Sequence, residues 1–455
     1  MKTMDRKWWV LIAIGTGSFM SALDASVVNT VLPVLRAAFG SDVAAIEWVV
    51  TVYLLVLTAL LLTFGRLGDL RGHKTIYISG FAIFVISSAL CGAAWSAPSL
   101  VVFRGMQAVG GAMLASNAPA IVTGNFPPQQ RGRAFGLVST MTYLGLTVGP
   151  SLGGLLTHAF GWRTIFYINV PVGLLASTLG LIFIPKDVPA ESGQRFDLPG
   201  AAVFMAGLSA LLLGLNKGAE WGWTSPAVFG LLASALVLLL VFIQIERRSP
   251  APMLDLNLFR IPLFSTSAVS AVLNYICVYS ITFLLPFYLI QGRELNPAQA
   301  GLLLTIQPVV MAISAPISGT LSDRIGSRLP GMLGMGLLSS GLFLLSQLGP
   351  DSGLWLVALG LLIAGAGTGT FISPNTSALM GAAPRARQGI ASGVQGAARN
   401  FGMVLGIGLA GAIFTTQLAQ NTTDALYRGI SMGFMVAAVV ALLGIVTSAM
   451  KNESI

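Results

Sequence analysis

The sequence predicts an all-α polytopic membrane protein, and three observations support this prediction. The chain of 455 residues is 55% hydrophobic and 9% charged and contains 53 glycines, which is unlike the composition of a soluble globular protein. Apolar runs of about 20 residues, the length that crosses a bilayer as a helix, recur from one end of the chain to the other. Lys and Arg residues concentrate in alternate loops, as they do where basic loops stay in the cytoplasm.

We count fourteen apolar runs, each interpreted as one membrane-spanning helix. They begin near Trp8, Ile46, Thr75, Ser99, Ala134, Arg163, Leu198, Pro226, Phe264, Ala298, Pro330, Gly353, Gly389 and Gly429. With this count most of the 25 Lys and Arg residues fall on one side of the membrane, and removing a single helix destroys that asymmetry. We therefore expect both termini to be cytoplasmic, in a multi-pass protein of the cytoplasmic (inner) membrane.

Several classes of function are disfavoured by the same composition. The net charge of +9 is spread over short loops instead of forming a basic groove with aromatic residues, so nucleic-acid binding is not expected. Cys91 and Cys277 fall inside predicted helices, and His73 and His158 are not spaced as metal ligands, so we expect neither a disulfide nor a metal site. The sequence has no phosphate-binding G-x-x-x-x-G-K-[S/T] run and no cluster of acids, which argues against direct use of ATP and against an enzyme.

Asp24 stands out because it lies in the apolar stretch from Trp8 to Leu35. A charged side chain at the centre of a membrane helix costs roughly 2.5–3.5 kcal/mol even on insertion scales, so such residues usually face a polar cavity and handle protons, ions or substrate. Asp24 is therefore the predicted proton-binding residue and a substrate-binding candidate. The alternative is a neutral acid that bonds a neighbouring helix.

A duplicated loop predicts two homologous halves. The pattern G-x-L-x-D-x-x-G-x-[K/R] occurs at residues 65–74 and again at residues 319–328. We predict a six-helix half at residues 1–185, a linker with two peripheral helices at residues 186–263, and a second six-helix half at residues 264–455; in transporters built this way, substrate binds between the repeats near the midplane. The residues of the two loops expected to serve gating are Gly65, Asp69, Arg71, Gly72, Lys74, Asp323 and Arg324.

Two further motifs lie inside predicted membrane-spanning helices. The fifth predicted helix contains G-x-x-x-G-P-x-x-G-G, in which glycines at four-residue spacing permit close helix contact and Pro150 interrupts the hydrogen bonding of the helix; its residues are Gly145, Gly149, Pro150, Gly153 and Gly154. The fourth predicted helix contains Arg104 and Gln107, followed by Gly110.

With these motifs the sequence resembles the major facilitator superfamily, and in particular its fourteen-helix drug:proton antiporters. The likeness extends over essentially the whole chain, including the stretches around Trp48 and Trp162. It departs from the family pattern at Leu70 and His73, where basic residues are common, and at Gly110, two places beyond the expected glycine. The resemblance implies the major facilitator fold, a role for Asp69 and Asp323 in holding the halves together, and a role for Arg104 in proton coupling.

Other polar or aromatic residues inside spans are candidates for the substrate pocket, and we expect about half of them to reach it, since intramembrane Asn residues often join helices. These candidates are Tyr53, Gln107, Asn117, Tyr143, Asn274, Tyr275, Tyr279, Phe283, Gln307, Asn375, Gln395 and Arg399.

The expected function is proton-driven export of lipophilic, often monocationic drugs or biocides by alternating access, hence multidrug efflux and antibiotic resistance. No cofactor beyond the proton gradient is expected, and the expected partners are the bilayer, lipophilic small molecules and protons, with a monomeric protein. If Arg104 and Arg399 both face the cavity, their positive charges disfavour the binding of cations. A lipid or glycolipid flippase on the same helices is the alternative; an uptake symporter is disfavoured by the motif in the fifth helix.

Overall fold

A computed structural model of the chain describes residues 5–41, 43–186, 196–222, 225–249, 252–418 and 424–451. Residues 187–195, 223, 224, 250 and 251 of the predicted linker lie outside these ranges. Within them all regular structure is helical, and the all-α prediction with fourteen long helices is confirmed. The helices of the first half are α1 Arg6–Phe39, α2 Val43–Arg71, α3 His73–Gly92, α4 Ala97–Asn125, α5 Pro128–Phe160 and α6 Thr164–Phe183.

Two further helices precede the second half: α7 Leu198–Trp221 and α8 Pro226–Arg248. The second half comprises α9 Pro262–Phe287, α10 Gln299–Ile325, α11 Arg328–Ser346, α12 Leu354–Ala382, α13 Gln388–Leu418 and α14 Ala425–Ala449. In the part of the chain that the structure describes, twelve helices are both long and apolar enough to cross a membrane. The other two, α4 and α5, have sufficient length, at 29 and 33 residues, but are rich in Gly, Ser and Thr.

The two halves repeat one packing scheme. In the first half α1 packs against α5, and α4 packs against both α2 and α3; in the second half α9 packs against α13, and α12 packs against both α10 and α11. Contact between the halves runs along α5 with α10 and along α2 with α13. The halves are thus related by an internal two-fold arrangement, as the duplicated loop indicates.

One end of the helix bundle carries the loops α2–α3, α4–α5, α10–α11 and α12–α13, and we call this end the basic face. The halves meet here without side chains between them: a Cβ atom added to Gly132 would overlap the carbonyl of Gly319, and one added to Gly65 would overlap the carbonyl of Gly389. Such close approach of two backbones requires glycine. The space between the halves is therefore closed at the basic face.

The two central helices pack against each other. The surface of α8 is largely exposed, with Phe229 and Leu236 more than half accessible, as expected for a helix that faces lipid. In contrast, α7 lies against α2 of the first half and α13 of the second half. It is thus less peripheral than the sequence indicates, because it bridges the halves along one side.

Candidate functional site

Asp24 lies at the centre of a buried polar network inside the first half. The side chain on α1 is 1% exposed, and its Oδ2 accepts a hydrogen bond of 2.6 Å from Nη1 of Arg104. Its Oδ1 accepts from the side-chain amides of Gln107, at 3.0 Å, and Asn169, at 2.7 Å. Both amides also donate to Oγ of Ser88 at 3.0 Å. Four helices therefore supply the network, and the buried charge of Asp24 is stabilised by hydrogen bonds to both of its carboxylate oxygens.

Arg104 is as deeply buried as its partner. It is 1% exposed, so it does not extend to the membrane surface. Nη1 also donates to Oε1 of Gln107 at 2.6 Å, which is possible because residues three apart share a helix face. Nε donates to the carbonyl of Val49 at 3.2 Å, and the guanidinium carbon lies 4.2 Å from the centre of the Tyr53 ring.

The network corrects one sequence-based expectation. Asp24 and Gln107 were expected to line the cavity between the halves, but the structure turns both toward the interior of the first half. The physical reason is the cost of an unpaired buried charge, which the Arg104 ion pair removes. In this conformation the negative charge of Asp24 is compensated by the positive charge of Arg104, and both residues belong to the first half.

The helix that carries Asp24 is in close contact with α5. Oγ of Ser26 donates to the carbonyl of Leu146 at 3.0 Å. Added Cβ atoms on the α5 glycines would overlap atoms of Phe19, Ser26 and Val27 on α1, and these glycines are Gly145, Gly149 and Gly153. Gly154 is different, because its added Cβ would meet open space, so it takes no part in this contact. Pro150 lies within α5 between the contact glycines.

A second polar group lies between the halves, and we call it the central cluster: Tyr143 of α5, Tyr275 and Tyr279 of α9, and Arg399 of α13. Tyr275 lies against α13 one turn beyond Arg399, because a Cβ atom added to Gly402 would overlap Cβ of Tyr275, and Tyr279 follows one turn further along α9. Tyr143 also packs with Met311 of α10 and Ile372 of α12. Arg399, Tyr275 and Tyr279 are half-buried, whereas Tyr143 is buried.

Asn400 attaches Arg399 to the first half. Its Oδ1 accepts from Nε of Arg399 at 3.3 Å, and its Nδ2 donates to Oγ1 of Thr58 on α2 at 2.7 Å. Tyr53 of α2 stacks on Arg104, and Thr58 of the same helix bonds Asn400. Helix α2 thus connects the buried network with the central cluster.

Four predicted pocket residues lie away from the central cluster: Asn117, Asn274, Asn375 and Phe283. Asn117 bonds His73 at 2.8 Å and the carbonyl of Phe64 at 3.2 Å, beside the duplicated loop. Asn274 donates to the sulfur of Met335 within the second half. These amides, like that of Asn375, join helices, because a buried amide in lipid must find internal partners.

Asn375 donates to the carbonyl of Ser267 at 3.1 Å and accepts from the buried Lys451 at 2.7 Å, close to the basic face. Phe283 packs with Phe287 and Phe414 within the second half. The remaining two candidates are intermediate cases: Gln395 donates to Thr376 at 2.6 Å, and Gln307 is buried, with no hydrogen-bond partner for its Nε2 among the described residues.

The duplicated loops join the halves at the basic face. Asp69 accepts hydrogen bonds from the backbone amides of Gly389, at 2.8 Å, and Ile390, at 3.1 Å, at the first turn of α13. Asp323 accepts from the amides of Gly132, at 2.7 Å, and Arg133, at 2.9 Å, in the second turn of α5, which begins at Pro128. At the first turn of α13, the free amides and the helix dipole favour the carboxylate of Asp69.

The other loop residues have separate roles. Gly72 has a φ of 94° and the equivalent Gly326 has a φ of 82°, so each glycine permits a turn that other residues strain to adopt. Lys74 donates to the carbonyls of Leu181 and Ile184 at the end of α6. The side chains of Arg71 and Arg324 are exposed.

Sequence reasoning missed two kinds of residue at these sites. Asn169 and Ser88 complete the Asp24 network, and the available signal was a polar residue inside an apolar span, which does not reveal its partner. Glu246 is buried at the end of α8, where Oε2 accepts from the amide of Leu254 at 3.1 Å. In the sequence it stands in the linker beside two arginines, a pattern typical of a surface loop.

Comparison with known proteins agrees with this architecture. A family model described as the Major Facilitator Superfamily matches residues 14–296 and 267–452. The riboflavin transporter RibZ of Clostridioides difficile (strain 630) is 35% identical over 448 residues, which cover 97% of this chain and 97% of that protein. The multidrug resistance protein Stp of Mycobacterium tuberculosis is 34% identical over 422 residues, which cover 92% of this chain and 78% of that protein.

A solved structure shares the fold. The crystal structure of the human organic anion transporter MFSD10 superposes with a TM-score of 0.71, covering 98% of this chain and 100% of that one, at 15% sequence identity. At this identity the likeness concerns the fold alone.

Proposed function

Because the chain belongs to the major facilitator superfamily, whose members are transporters and not enzymes, we propose that it is a proton-coupled antiporter that exports lipophilic small molecules across the cytoplasmic membrane. The basic face is then the cytoplasmic face, following the distribution of Lys and Arg residues. The energy source is the proton gradient.

One observation carries the proton-coupling proposal: Asp24 is a fully buried carboxylate paired with Arg104 at 2.6 Å. An ionised carboxylate is stable at this position only while the arginine is its partner. Protonation of Asp24 removes the charge that holds Arg104, and the arginine then depends on Gln107, Val49 and the Tyr53 ring. Binding and release of a proton therefore change how α1 is held against α4.

The α1–α5 contact carries this change toward the second half. Ser26, two residues from Asp24, is hydrogen-bonded to the backbone of α5. The contact glycines of α5 bring the two helices so close together that α1 cannot slide along α5 independently. Further along α5, Oγ1 of Thr140 donates to the carbonyl of Ala312 on α10 at 2.7 Å. A shift of α1 thus displaces the helix that closes the basic face.

The names of the relatives support transport of drug-like or vitamin-like molecules. RibZ is named as a transporter of riboflavin and Stp as a multidrug resistance protein, and this chain aligns with both over more than nine-tenths of its length. Multidrug efflux with a contribution to antibiotic resistance is the corresponding cellular role.

The test is transport by the purified protein in liposomes with an imposed pH gradient. A set of lipophilic dyes is followed by fluorescence, together with a pH-sensitive dye on the side that receives protons. We expect dye movement against its concentration gradient, opposite to the flow of protons, and its collapse when a protonophore removes the gradient. Dye movement that is unchanged by the protonophore, or transport of fluorescent phospholipid in its place, would contradict proton-driven drug export and favour a lipid flippase.

A further inference from the structure

We infer that the transported compounds are planar aromatic molecules that are neutral or anionic, and that Arg399 with Tyr143, Tyr275 and Tyr279 binds them. This inference rests on the proposed transport function and specifies its substrate class. It reverses the cationic preference expected from the sequence, which depended on Asp24 facing the space between the halves.

The first step concerns charge. The carboxylate of Asp24 is compensated by Arg104 inside the first half and is 1% exposed, so it presents no free negative charge to a ligand between the halves. Arg399 is half-buried and, among the described residues, has no carboxylate within ion-pair distance. The central cluster therefore carries one uncompensated positive charge in a region of low dielectric, which attracts anions and repels cations.

The second step concerns the geometry of donors. A guanidinium has five N–H donors, and in the described residues Arg399 uses only Nε, toward Asn400 at 3.3 Å. Its two terminal nitrogens remain available for a carboxylate, a phenolate or a pair of carbonyl oxygens, which match the fork of Arg. Tyr143 packs with Tyr275, which lies against α13 one turn from Arg399, and Tyr279 follows on α9, so that three hydroxyl groups and three aromatic rings are available to a planar aromatic ligand.

The third step concerns depth in the membrane. Arg399 lies eleven residues from the start of α13, or about 17 Å at 1.5 Å per residue. Tyr143 lies fifteen residues from the start of α5, or about 22 Å by the same rise. Both helices begin at the basic face, so the cluster is near the middle of a hydrocarbon core about 30 Å thick. This is the depth at which a substrate must be held for alternating access.

The fourth step connects binding with the movement of the halves. The cluster draws Tyr143 from the first half and Tyr275, Tyr279 and Arg399 from the second. Asn400 positions Arg399 by accepting from its Nε while donating to Thr58 of the first half. A ligand on the cluster therefore contacts both halves, and its affinity differs between conformations that bring these residues together and conformations that separate them.

The experiment compares three xanthene dyes of similar size and planarity: anionic fluorescein, net-neutral rhodamine B and monocationic rhodamine 6G. Equilibrium binding to purified protein in detergent is measured by fluorescence anisotropy, and export from liposomes is measured under an imposed pH gradient. We expect fluorescein and rhodamine B to bind and to be exported better than rhodamine 6G.

Two variants test the role of the guanidinium. Arg399→Gln should weaken fluorescein binding by about ten- to a hundredfold, the usual range for loss of a charged hydrogen bond. The affinity for rhodamine 6G relative to that for fluorescein should therefore rise. Arg399→Lys should retain the preference for the anion with lower affinity, because it keeps the charge but loses the fork. Size-exclusion chromatography and thermal unfolding verify that each variant is folded.

The outcomes separate this inference from the proposed function. Tightest binding and fastest export of rhodamine 6G by the unmodified protein would overturn the substrate class while leaving proton-driven export intact. The substrate class would likewise be overturned if Arg399→Gln left the order of the three dyes unchanged. Charge-selective binding that depends on Arg399, without export under a pH gradient, would retain the binding site and refute the antiporter function.

Discussion

Asp69 and Asp323 each accept two backbone hydrogen bonds from the opposite half. Asp69 of the first half accepts from amides at the first turn of α13, and Asp323 of the second half accepts from amides in the second turn of α5. The helix dipole of α13 additionally favours the negative charge of Asp69. The two contacts together hold the basic face closed.

Neutralising either carboxylate should therefore favour opening of the basic face. An Asn at position 69 or 323 loses the charge and presents one acceptor oxygen where two backbone amides donate. We expect Asp69→Asn to shift the equilibrium toward the open basic face by about 1–2 kcal/mol, or about five- to thirtyfold. The shift can be measured as the distance between spin labels at the exposed residues Gln129 and Arg328, with the native cysteines buried.

The same variant should leave substrate affinity nearly unchanged, because Asp69 is at the basic face and not in the central cluster. Affinity is compared in protein that is cross-linked in one conformation. Asp323→Asn serves as the matched variant, since the internal repeat predicts a similar shift. A large loss of affinity in the cross-linked protein, with an unaltered distance distribution, would place Asp69 in substrate binding instead.

Replacing the contact glycines should have a stronger effect in the same direction. In Gly132→Ala the new Cβ would overlap the carbonyl of Gly319, so the closed basic face cannot form without separating α5 from α10. We expect the spin-label distance to lengthen and export to fall at least tenfold. Gly124→Ala is the control, because an added Cβ there meets nothing within 4 Å. Equal effects of the two substitutions would contradict a steric role for the Gly132 contact.

The sequence predicted the architecture well because its signals are strong and local. Fourteen apolar runs and two copies of one loop pattern suffice to specify the helices and the internal repeat. An apolar segment in a bilayer must bond its backbone groups internally, and a helix does so within one segment. The orientation of each polar side chain was much harder to predict. Asp24 and Asn117 turn toward partners on helices distant in sequence, and an intramembrane position alone does not show whether a residue faces another helix or the space between halves.

Removing the charge of Asp24 should abolish coupling and lower stability together. Asp24→Asn leaves the buried charge of Arg104 without its carboxylate, and breaking a buried ion pair costs about 3–5 kcal/mol. We expect a lower unfolding temperature and loss of export driven by a pH gradient. The double variant Asp24→Asn with Arg104→Gln removes both charges and should recover much of the stability without restoring coupling. Proton-driven export by folded Asp24→Asn protein would refute the role assigned to this carboxylate.

Asn169 should hold α6 against the buried network. Its Nδ2 donates to Oδ1 of Asp24 at 2.7 Å and to Oγ of Ser88 at 3.0 Å. In Asn169→Ala both hydrogen bonds are lost, so we expect a loss of stability of about 1–3 kcal/mol and slower export under a pH gradient. Thr178→Ala, on the exposed side of the same helix, is the control. If the two variants had the same unfolding temperature and the same export rate, Asn169 would have no part in holding the network.

The buried acid of the central helices should support closure of the basic face. Glu246 is 4% exposed and accepts a hydrogen bond from the amide of Leu254 at 3.1 Å, while Asp255 in the same segment pairs with Arg387 of the α12–α13 loop at 3.6 Å. The segment that follows α8 is thus connected to a loop of the basic face. Glu246→Ala removes the side-chain acceptor for the amide of Leu254, with an expected loss of about 1–3 kcal/mol.

Glu246→Ala should therefore lower the unfolding temperature and lengthen the Gln129–Arg328 spin-label distance, whereas Glu246→Gln, which keeps an acceptor oxygen, should have a smaller effect. Arg247→Ala is the matched control, because this neighbour is exposed on the same helix and removes a charge without disturbing a buried contact. If Glu246→Ala and Arg247→Ala gave the same unfolding temperature and the same distance distribution, the central helices would have no part in closing the basic face. Closure would then depend on the duplicated loops and the glycine contacts alone.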